Sequence, residues 1–413
     1  MLKIAIIGCG PAGLSAAIAL HDKGHAVSIF ERFAQAGPVG SGLMLQPTGL
    51  AVLERFGLRD EAEAFGQRIN GMLGRVAPNG KIVLDIKYAA LSSELYGVAI
   101  HRAALFHVLF EAVASRSIPI YVGSEIDNLL AGSDHVQLTG ANGDFVSEHY
   151  DLAVDASGRQ STLLMHAHAP PSSRSLGYGA LWATVKHDSK RFDNFLLEQR
   201  YQAAHIMVGV LPCGKLPFEA QSVATFFWSL KNNSFQALKE AGIDRWKEDV
   251  MRCWPAVESL LSQLNCFDDL AYARYSHHTL SVPYGSRLVF IGDAAHSTSP
   301  QLGQGANMAL LDSYALAQVL DSDLNTGNSL QQSLEDYARL RRTHVRLYQA
   351  ASFTLTPFYQ SDSKMLPWLR DLLFEPVSKL PFASKIVTSL GAGLLANPVK
   401  RIDKNTRVAI SQR

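Results

Sequence analysis

The sequence predicts an α/β fold. A Rossmann-like dinucleotide-binding unit is interrupted by an inserted β-sheet lobe and followed by a helical C-terminus. Two glycine-rich elements far apart in the chain, and a change of pattern between them, carry this expectation. One element is Gly8-Cys9-Gly10-Pro11-Ala12-Gly13. The other is Gly292-Asp293-Ala294-Ala295-His296, followed by Pro300, Gly303, Gly305 and Asn307.

Residues 3–7 read as a short buried strand, an apolar run closed by glycine. Gly8 permits a tight turn, Gly10 lets the backbone approach a pyrophosphate, and Gly13 lets the next helix lie close to the strand. That helix, residues 11–23, opens with unpaired N–H groups and the positive end of its dipole, which favours a phosphate. Gly24 ends it, and residues 26–30 form the second strand. Glu31 follows Gly13 by roughly 18 residues, where a dinucleotide site places a carboxylate for the ribose hydroxyls. A carboxylate there argues against an NADP adenosine, because it would repel a 2′-phosphate.

Further along, 37–42 reads as a flexible loop and 43–58 as a helix with Pro47 near its start. Residues 69–86 read as paired strands around Pro78-Asn79-Gly80, and 101–114 as a helix opened by His101-Arg102. Residues 121–130 and 135–139 read as a β-meander, and 151–161 carries Asp155-Ala156-Ser157-Gly158. The pattern then changes. Residues 177–186, 201–211 and 221–230 read as strands rich in aromatic and β-branched residues, two or three helices span 235–264, and 272–282 leads back. The expected division is therefore a discontinuous cofactor domain (1–68, 99–165 and 281–350), a substrate-binding lobe (69–98 and 166–280) and a C-terminal helical segment (351–413). Trp182, His205 and Phe226, with Met207 and Trp228, are candidate walls of a substrate pocket. The basic end, Lys400, Arg401, Lys404 and Arg407, reads as a solvated tail.

Composition narrows the function. A formal net charge of +1 over 413 residues lacks the basic excess of a nucleic-acid binder. Cys9, Cys213, Cys253 and Cys266 show no metal-binding spacing and read as reduced thiols, and His296 has no second ligand at metal spacing, so no metal is expected. No apolar run reaches the roughly 18 residues of a membrane span, and the first residues already belong to a strand, so the expected location is cytoplasmic.

These motifs, in this order, resemble the class A FAD-dependent aromatic monooxygenases, the group that includes p-hydroxybenzoate and salicylate hydroxylases. The resemblance implies a glutathione-reductase-type FAD-binding domain. FAD would be held by Gly8, Gly10, Pro11, Ala12 and Gly13, by Glu31 with Arg32 beside it, and by Gly42 in the loop along the isoalloxazine ring. Arg102 would reach the phosphates or ribose, the Ile126 backbone the adenine, and Asp293 the ribityl chain. Gly303, Gly305, Ala306 and Asn307 would form a helix start that stabilises negative charge on the reduced flavin. Pro300 would stiffen the turn at the reactive edge. The resemblance further implies that NADH or NADPH visits as a transient co-substrate. O2 would then form a flavin C4a-hydroperoxide that hydroxylates a small aromatic or related electron-rich substrate.

Two positions depart from the family pattern: Ser157 stands where Asp is usual, and Leu164 where Arg often follows. Serine keeps a hydrogen-bonding group without the charge, which bears on how the flavin is reduced. Serine also occurs there in flavin-dependent halogenases, but no two tryptophans of this chain lie two residues apart as in the halogenase Trp-x-Trp segment. A flavin-dependent reductase of isoprenoid double bonds and a non-catalytic FAD-binding protein remain alternatives, and the chain reads as a monomer or homodimer.

Overall fold

The apolar run before Gly8 forms the strand Lys3–Ile7, paired in parallel with Ala26–Phe30 on one side and Leu152–Asp155 on the other. The computed structural model describes residues 1–37, 40–140, 143, 145–378, 380–396 and 398–403. Pro38 and Val39 of the expected loop, and Lys404 and Arg407 of the basic end, lie outside the described residues. Among the described residues this sheet runs in the order Tyr284–Gly285, Leu288–Phe290, Leu152–Asp155, Lys3–Ile7, Ala26–Phe30, Ile120–Tyr121. The parallel pairing brings the C-terminal ends of Lys3–Ile7, Leu152–Asp155 and Leu288–Phe290 to one edge, which is where open parallel sheets bind ligands. The segments that continue from those ends are Gly8–Gly13, Ser157–Ser161 and Gly292–His296.

Two helices cover this sheet side by side, Pro11–His21 and Gly305–Thr326. Small residues allow the approach: Ser15 Oγ is 2.8 Å from Ser313 Oγ, and Ser313 Oγ donates to the Ala12 carbonyl at 3.1 Å. The expected helix over 43–58 is shorter than its apolar pattern suggested. Gly42–Leu45 is a strand paired with Gly97–His101, and the helix is Pro47–Arg55. Gln46, before the proline, is held extended, as the clash with a following proline ring favours.

The second large sheet contains Ala271–Thr279, Ser172–Lys186, Ser222–Lys231, Ile206–Lys215, Leu196–Gln202, Gly71–Val76 and Ile82–Lys87 in that order, with His296–Ser297 at one edge. The hairpin at Pro78–Gly80 thus joins a sheet built mainly from distant sequence. Strand alternation gives this sheet two different faces. Leu181, Phe226 and Trp228 point to the helices after Phe235, where Trp246 is fully buried. Trp182, Thr184, Thr225 and Phe227 share the opposite face. The expected single strand over 201–211 is in fact a hairpin. Leu196–Gln202 turns into Ile206–Lys215 through residues 203–205, with Ala203 at φ 50°. That turn has no Gly, Asn or Pro to announce it. Likewise the expected strand over 121–130 divides: Ile120–Tyr121 ends the parallel sheet, and Ile126–Ala131 pairs with Val136–Gly140.

Removing the indole that fills the base of the second core should be costly. Trp246→Ala is expected to destabilise the protein by about 3–5 kcal/mol, read as a lower urea midpoint, because Trp246 packs edge-on against both Phe226 and Trp228.

Candidate active site

At the ligand-binding edge the glycines have distinct jobs. Gly8 has φ 103°, and a Cβ there would lie 2.7 Å from the Ala156 carbonyl oxygen. A Cβ on Gly13 would lie 1.9 Å from the Gly8 oxygen, so Gly13 is fixed by packing. At Gly10 and Gly305, among the described residues, nothing lies within 4 Å of a Cβ position. Those two glycines face open space, as close approach of a ligand requires. Gly10 caps the helix begun by Pro11, and Ala12 packs beneath Gly292. Glu31 is buried at the end of its strand. Its carboxylate accepts from the Cys9 N–H at 2.8 Å and the Phe33 N–H at 3.0 Å. Two of its lone pairs remain for sugar hydroxyls. Arg32 is exposed and stacks on Phe33. Ile126 is buried, and its carbonyl accepts from Thr162 Oγ1 at 3.1 Å.

The second glycine element forms a short turn, Gly292–Ala294, that leaves Asp293 exposed. A second turn, Pro300–Leu302, ends on Gly303 in the left-handed region and leads into Gly305–Thr326. Gly305 is exposed and Ala306 half-buried at this helix start, where the first N–H groups lack helical partners. Asn307 is fully buried. Its Oδ1 accepts from the Gln46 N–H at 2.8 Å, and its Nδ2 donates to the Met44 and Gly303 carbonyls at 2.9 Å each. Its side chain, expected at the cofactor, is thus committed to holding Gly42–Leu45 against the helix start. Gly49 permits this, since a Cβ there would lie 2.1 Å from Asn307 Oδ1. Sequence reasoning missed Gln46. It is fully buried, its Oε1 accepts from Tyr88 Oη at 2.5 Å, and its Nε2 has no partner beside Gly303. Buried donors usually find a partner, so this one is available to a ligand at the helix start.

The side that carries the two glycine elements meets the second sheet through polar contacts. The Gly42 N–H donates to Thr225 Oγ1 at 2.8 Å, and a Cβ on Gly42 would lie 2.2 Å from Cys213 Sγ. His101 caps the helix Arg102–Ser115, accepting from the Ala103 N–H on Nδ1 and donating from Nε2 to Thr184 Oγ1 at 2.9 Å. Arg102 is exposed, and its stem runs along Gly40. Trp182 Nε1 donates to Tyr275 Oη at 2.8 Å. Burial pushes the Tyr275 phenol up, against the opposing pull of the Trp182 hydrogen bond and the Arg102 charge, so Tyr275 stays protonated at neutral pH. Of the five candidate pocket walls, the structure brings Trp182 and Met207 to this face, and Trp228 lies on the opposite one. Phe226 points the other way, into Trp246, because one residue of register reverses a strand side chain. Phe227 takes its place beside Trp182, with ring centroids 4.9 Å apart. His205 is exposed in the 203–205 turn.

The Asp155-Ser157 segment differs from its expected form. Ser157 donates through both its N–H and its hydroxyl to Asp155, at 2.9 and 2.6 Å, and Ser161 Oγ donates to the same carboxylate. Asp155 is fully buried, and desolvation pushes its carboxyl up while the two serines pull it back.

Open space at Gly10 and Gly305, a carboxylate at Glu31 and an orphaned amide at Gln46 fit FAD. Fold and site together define an FAD-dependent monooxygenase of the aromatic-hydroxylase class. The chain belongs to the FAD binding domain family, whose model it matches over residues 1–352. It is 28% identical over 350 residues to 3-amino-4-hydroxybenzoate 2-monooxygenase of Streptomyces cremeus, covering 82% of this chain and 83% of that protein. It is 26% identical to aurachin C monooxygenase/isomerase of Stigmatella aurantiaca, covering 91% and 94%. Its fold is similar to that of Klebsiella pneumoniae HpxO complexed with FAD and uric acid, with a TM-score of 0.81, 21% identity, and 96% and 98% of the two chains covered.

Two outcomes are expected. Gly10→Ala should fold normally yet weaken FAD binding by about tenfold or more, roughly 1.4 kcal/mol, whereas Gly13→Ala should lower the urea midpoint of the apoprotein as well; flavin titration with denaturation separates them. The second concerns His344, which burial and then the Arg341 charge push down to about 3. The unfolded imidazole titrates near 6.5, so this contribution to stability is complete above about pH 6.5 and is lost as pH falls toward 3. His344→Gln should flatten the decline in urea midpoint between about pH 7 and about pH 5.

Proposed function

We propose that this enzyme hydroxylates a small, electron-rich aromatic or heteroaromatic ring. The ring would lie between the cofactor edge and the face of the second sheet that carries Trp182, Thr184, Thr225 and Phe227. The observation that supports this reading best is the convergence of an aromatic, hydroxyl-bearing sheet face with the strand and helix starts of the FAD edge. Bound FAD supplies the redox chemistry, taking hydride from NADH or NADPH and delivering one oxygen atom of O2 to the ring. In this reading the Gly8–Gly13 turn and the helix behind it hold the pyrophosphate, Glu31 the ribose hydroxyls, Asp293 the ribityl hydroxyls and Arg102 an anionic oxygen. The N–H groups at Gly305 and Ala306 face the pyrimidine end and favour negative charge there, and Gln46 Nε2 supplies a further donor. Pro300 limits the freedom of the turn beside them.

Tyr275 is the group we assign to substrate. Its hydroxyl accepts from Trp182 and keeps its own proton to donate. Two relatives support this choice of substrate chemistry: one is named for 3-amino-4-hydroxybenzoate, and the HpxO structure holds uric acid. Both rings carry electron-donating or hydrogen-bonding substituents. The cytoplasm and a monomeric or dimeric state remain part of the proposal.

FAD-loaded protein should oxidise NADH or NADPH faster with one member of a panel of phenols, aromatic acids and quinolones, and the product should gain one labelled atom from 18O2. Reduction without oxygen incorporation would instead favour a flavin-dependent reductase. Tyr275→Phe should keep FAD and lower kcat/KM by about tenfold, the worth of one hydrogen bond of roughly 0.5–1.5 kcal/mol.

A further inference from the structure

The helix Met365–Ser378 presents apolar side chains in two directions. Its inner side is anchored. Arg370 is fully buried, donates to the Ala203 and Phe358 carbonyls at 3.0 Å each, and lies over the rings of Tyr201 and Tyr359. Phe374 packs on Phe358. The outer side carries Met365, Trp368 and Leu372 at helical spacing, all exposed. Leu380, Phe382 and Ile386 continue this exposed set into the helix Pro381–Gly391. Trp368 is 62% and Phe382 78% exposed, so among the described residues nothing in this chain covers them. An apolar patch of this extent marks a contact surface.

We propose that this two-helix face docks the enzyme on the surface of an anionic lipid bilayer, as a peripheral contact. No helix among the described residues is long and apolar enough to cross a membrane, so the face lies on the bilayer. Charge selects the occupant. Among the described side chains of 364–387, the exposed charged groups are Lys364 and Lys385. The neighbouring exposed carboxylate, Asp362, is paired with Lys231 at 2.6 Å. A second copy docked through the same face would bring Lys364 and Lys385 of the two copies together, and lysine is depleted from the cores of protein interfaces. Anionic headgroups satisfy both lysines while the acyl boundary takes Trp, Phe, Leu and Ile. Apolar insertion and basic attraction are the two signals that peripheral anchoring combines.

The test uses the full-length FAD-loaded protein and two sets of large unilamellar vesicles, phosphatidylcholine alone and phosphatidylcholine mixed with phosphatidylglycerol. Sedimentation should show binding to the mixed vesicles stronger by about tenfold or more. The Trp368→Glu/Phe382→Glu variant should lose that binding by a similar factor while keeping its FAD and its far-UV spectrum, since both side chains are exposed. Lys364→Glu/Lys385→Glu should abolish the preference for phosphatidylglycerol. Wild-type protein that sediments with neither vesicle, or a Trp368→Glu/Phe382→Glu variant that binds like wild type, would overturn the proposal. So would a wild-type dimer in sedimentation velocity that the same variant dissolves, which would assign the face to a second copy.

Discussion

The carboxylate of Asp312, about two turns into Gly305–Thr326, ties together three parts of the chain. It accepts from the Gly292 N–H at 2.9 Å, from His296 Nε2 at 2.7 Å and from Arg341 Nε at 2.7 Å. Burial alone would push this carboxyl up. The contacts with His296 and Arg341 override it and hold the group at about 2. A buried anion is tolerated only with such partners, so the three donors are as necessary to Asp312 as it is to them. Arg341 continues the network to His344 Nδ1, and His344 Nε2 donates to the Gly393 carbonyl, both at 3.4 Å. The turn that presents Asp293 is therefore locked to the helix that presents Gly305, and both are locked to the C-terminal segment. His296, which its chemistry makes a tempting acid–base candidate, is spent as a structural donor.

Asn307 repeats the device one turn from the helix start. Its amide fastens the Gly42–Leu45 strand and the Gly303 turn, and Gly49 leaves room for it. Together the two side chains fix the relative positions of segments that no sheet pairing connects. Such preorganisation matters because cofactor donors act only when held near their working geometry. The expected outcomes for Gly10 and Gly13 follow from the same division: one glycine faces open space, the other packs against the chain.

The glycine elements were legible because their chemistry is local. A strand, a positive-φ glycine and a helix start within a few residues leave a pattern in sequence, and the structure has that pattern at Gly8–Gly13 and at Gly303–Gly305. The parts that were not legible depend on distant partners. The strand Gly42–Leu45 exists because Gly97–His101 pairs with it, and its four residues alone read equally well as helix. Phe226 and Phe227 are interchangeable in sequence, and only the register across Trp182 decides which one lies beside it. The turn at Ala203 has no turn chemistry of its own and is set by the strands on either side. Tyr275 and Gln46 carried no motif, and each becomes conspicuous only through the partner it has or lacks.

The serine at 157 gains its meaning from the same kind of distant accounting. In isolation it reads as a lost charge. In the fold the carboxylate lies two residues earlier at Asp155, turned inward and bound by Ser157 and Ser161. The loop keeps its shape through these bonds, so it needs no aspartate at 157 to hold it. What changes is the field: burial pushes the Asp155 carboxyl up, and Ser157 at the exposed end of the loop carries no charge. The exposed charge of the loop is the Arg159 guanidinium, which donates to Ser276 Oγ at 3.0 Å. A serine at 157 places no repulsion on an anionic group beside Gly10. The loop therefore keeps its shape through the buried Asp155 and presents a cation, where a carboxylate at 157 would have offset it.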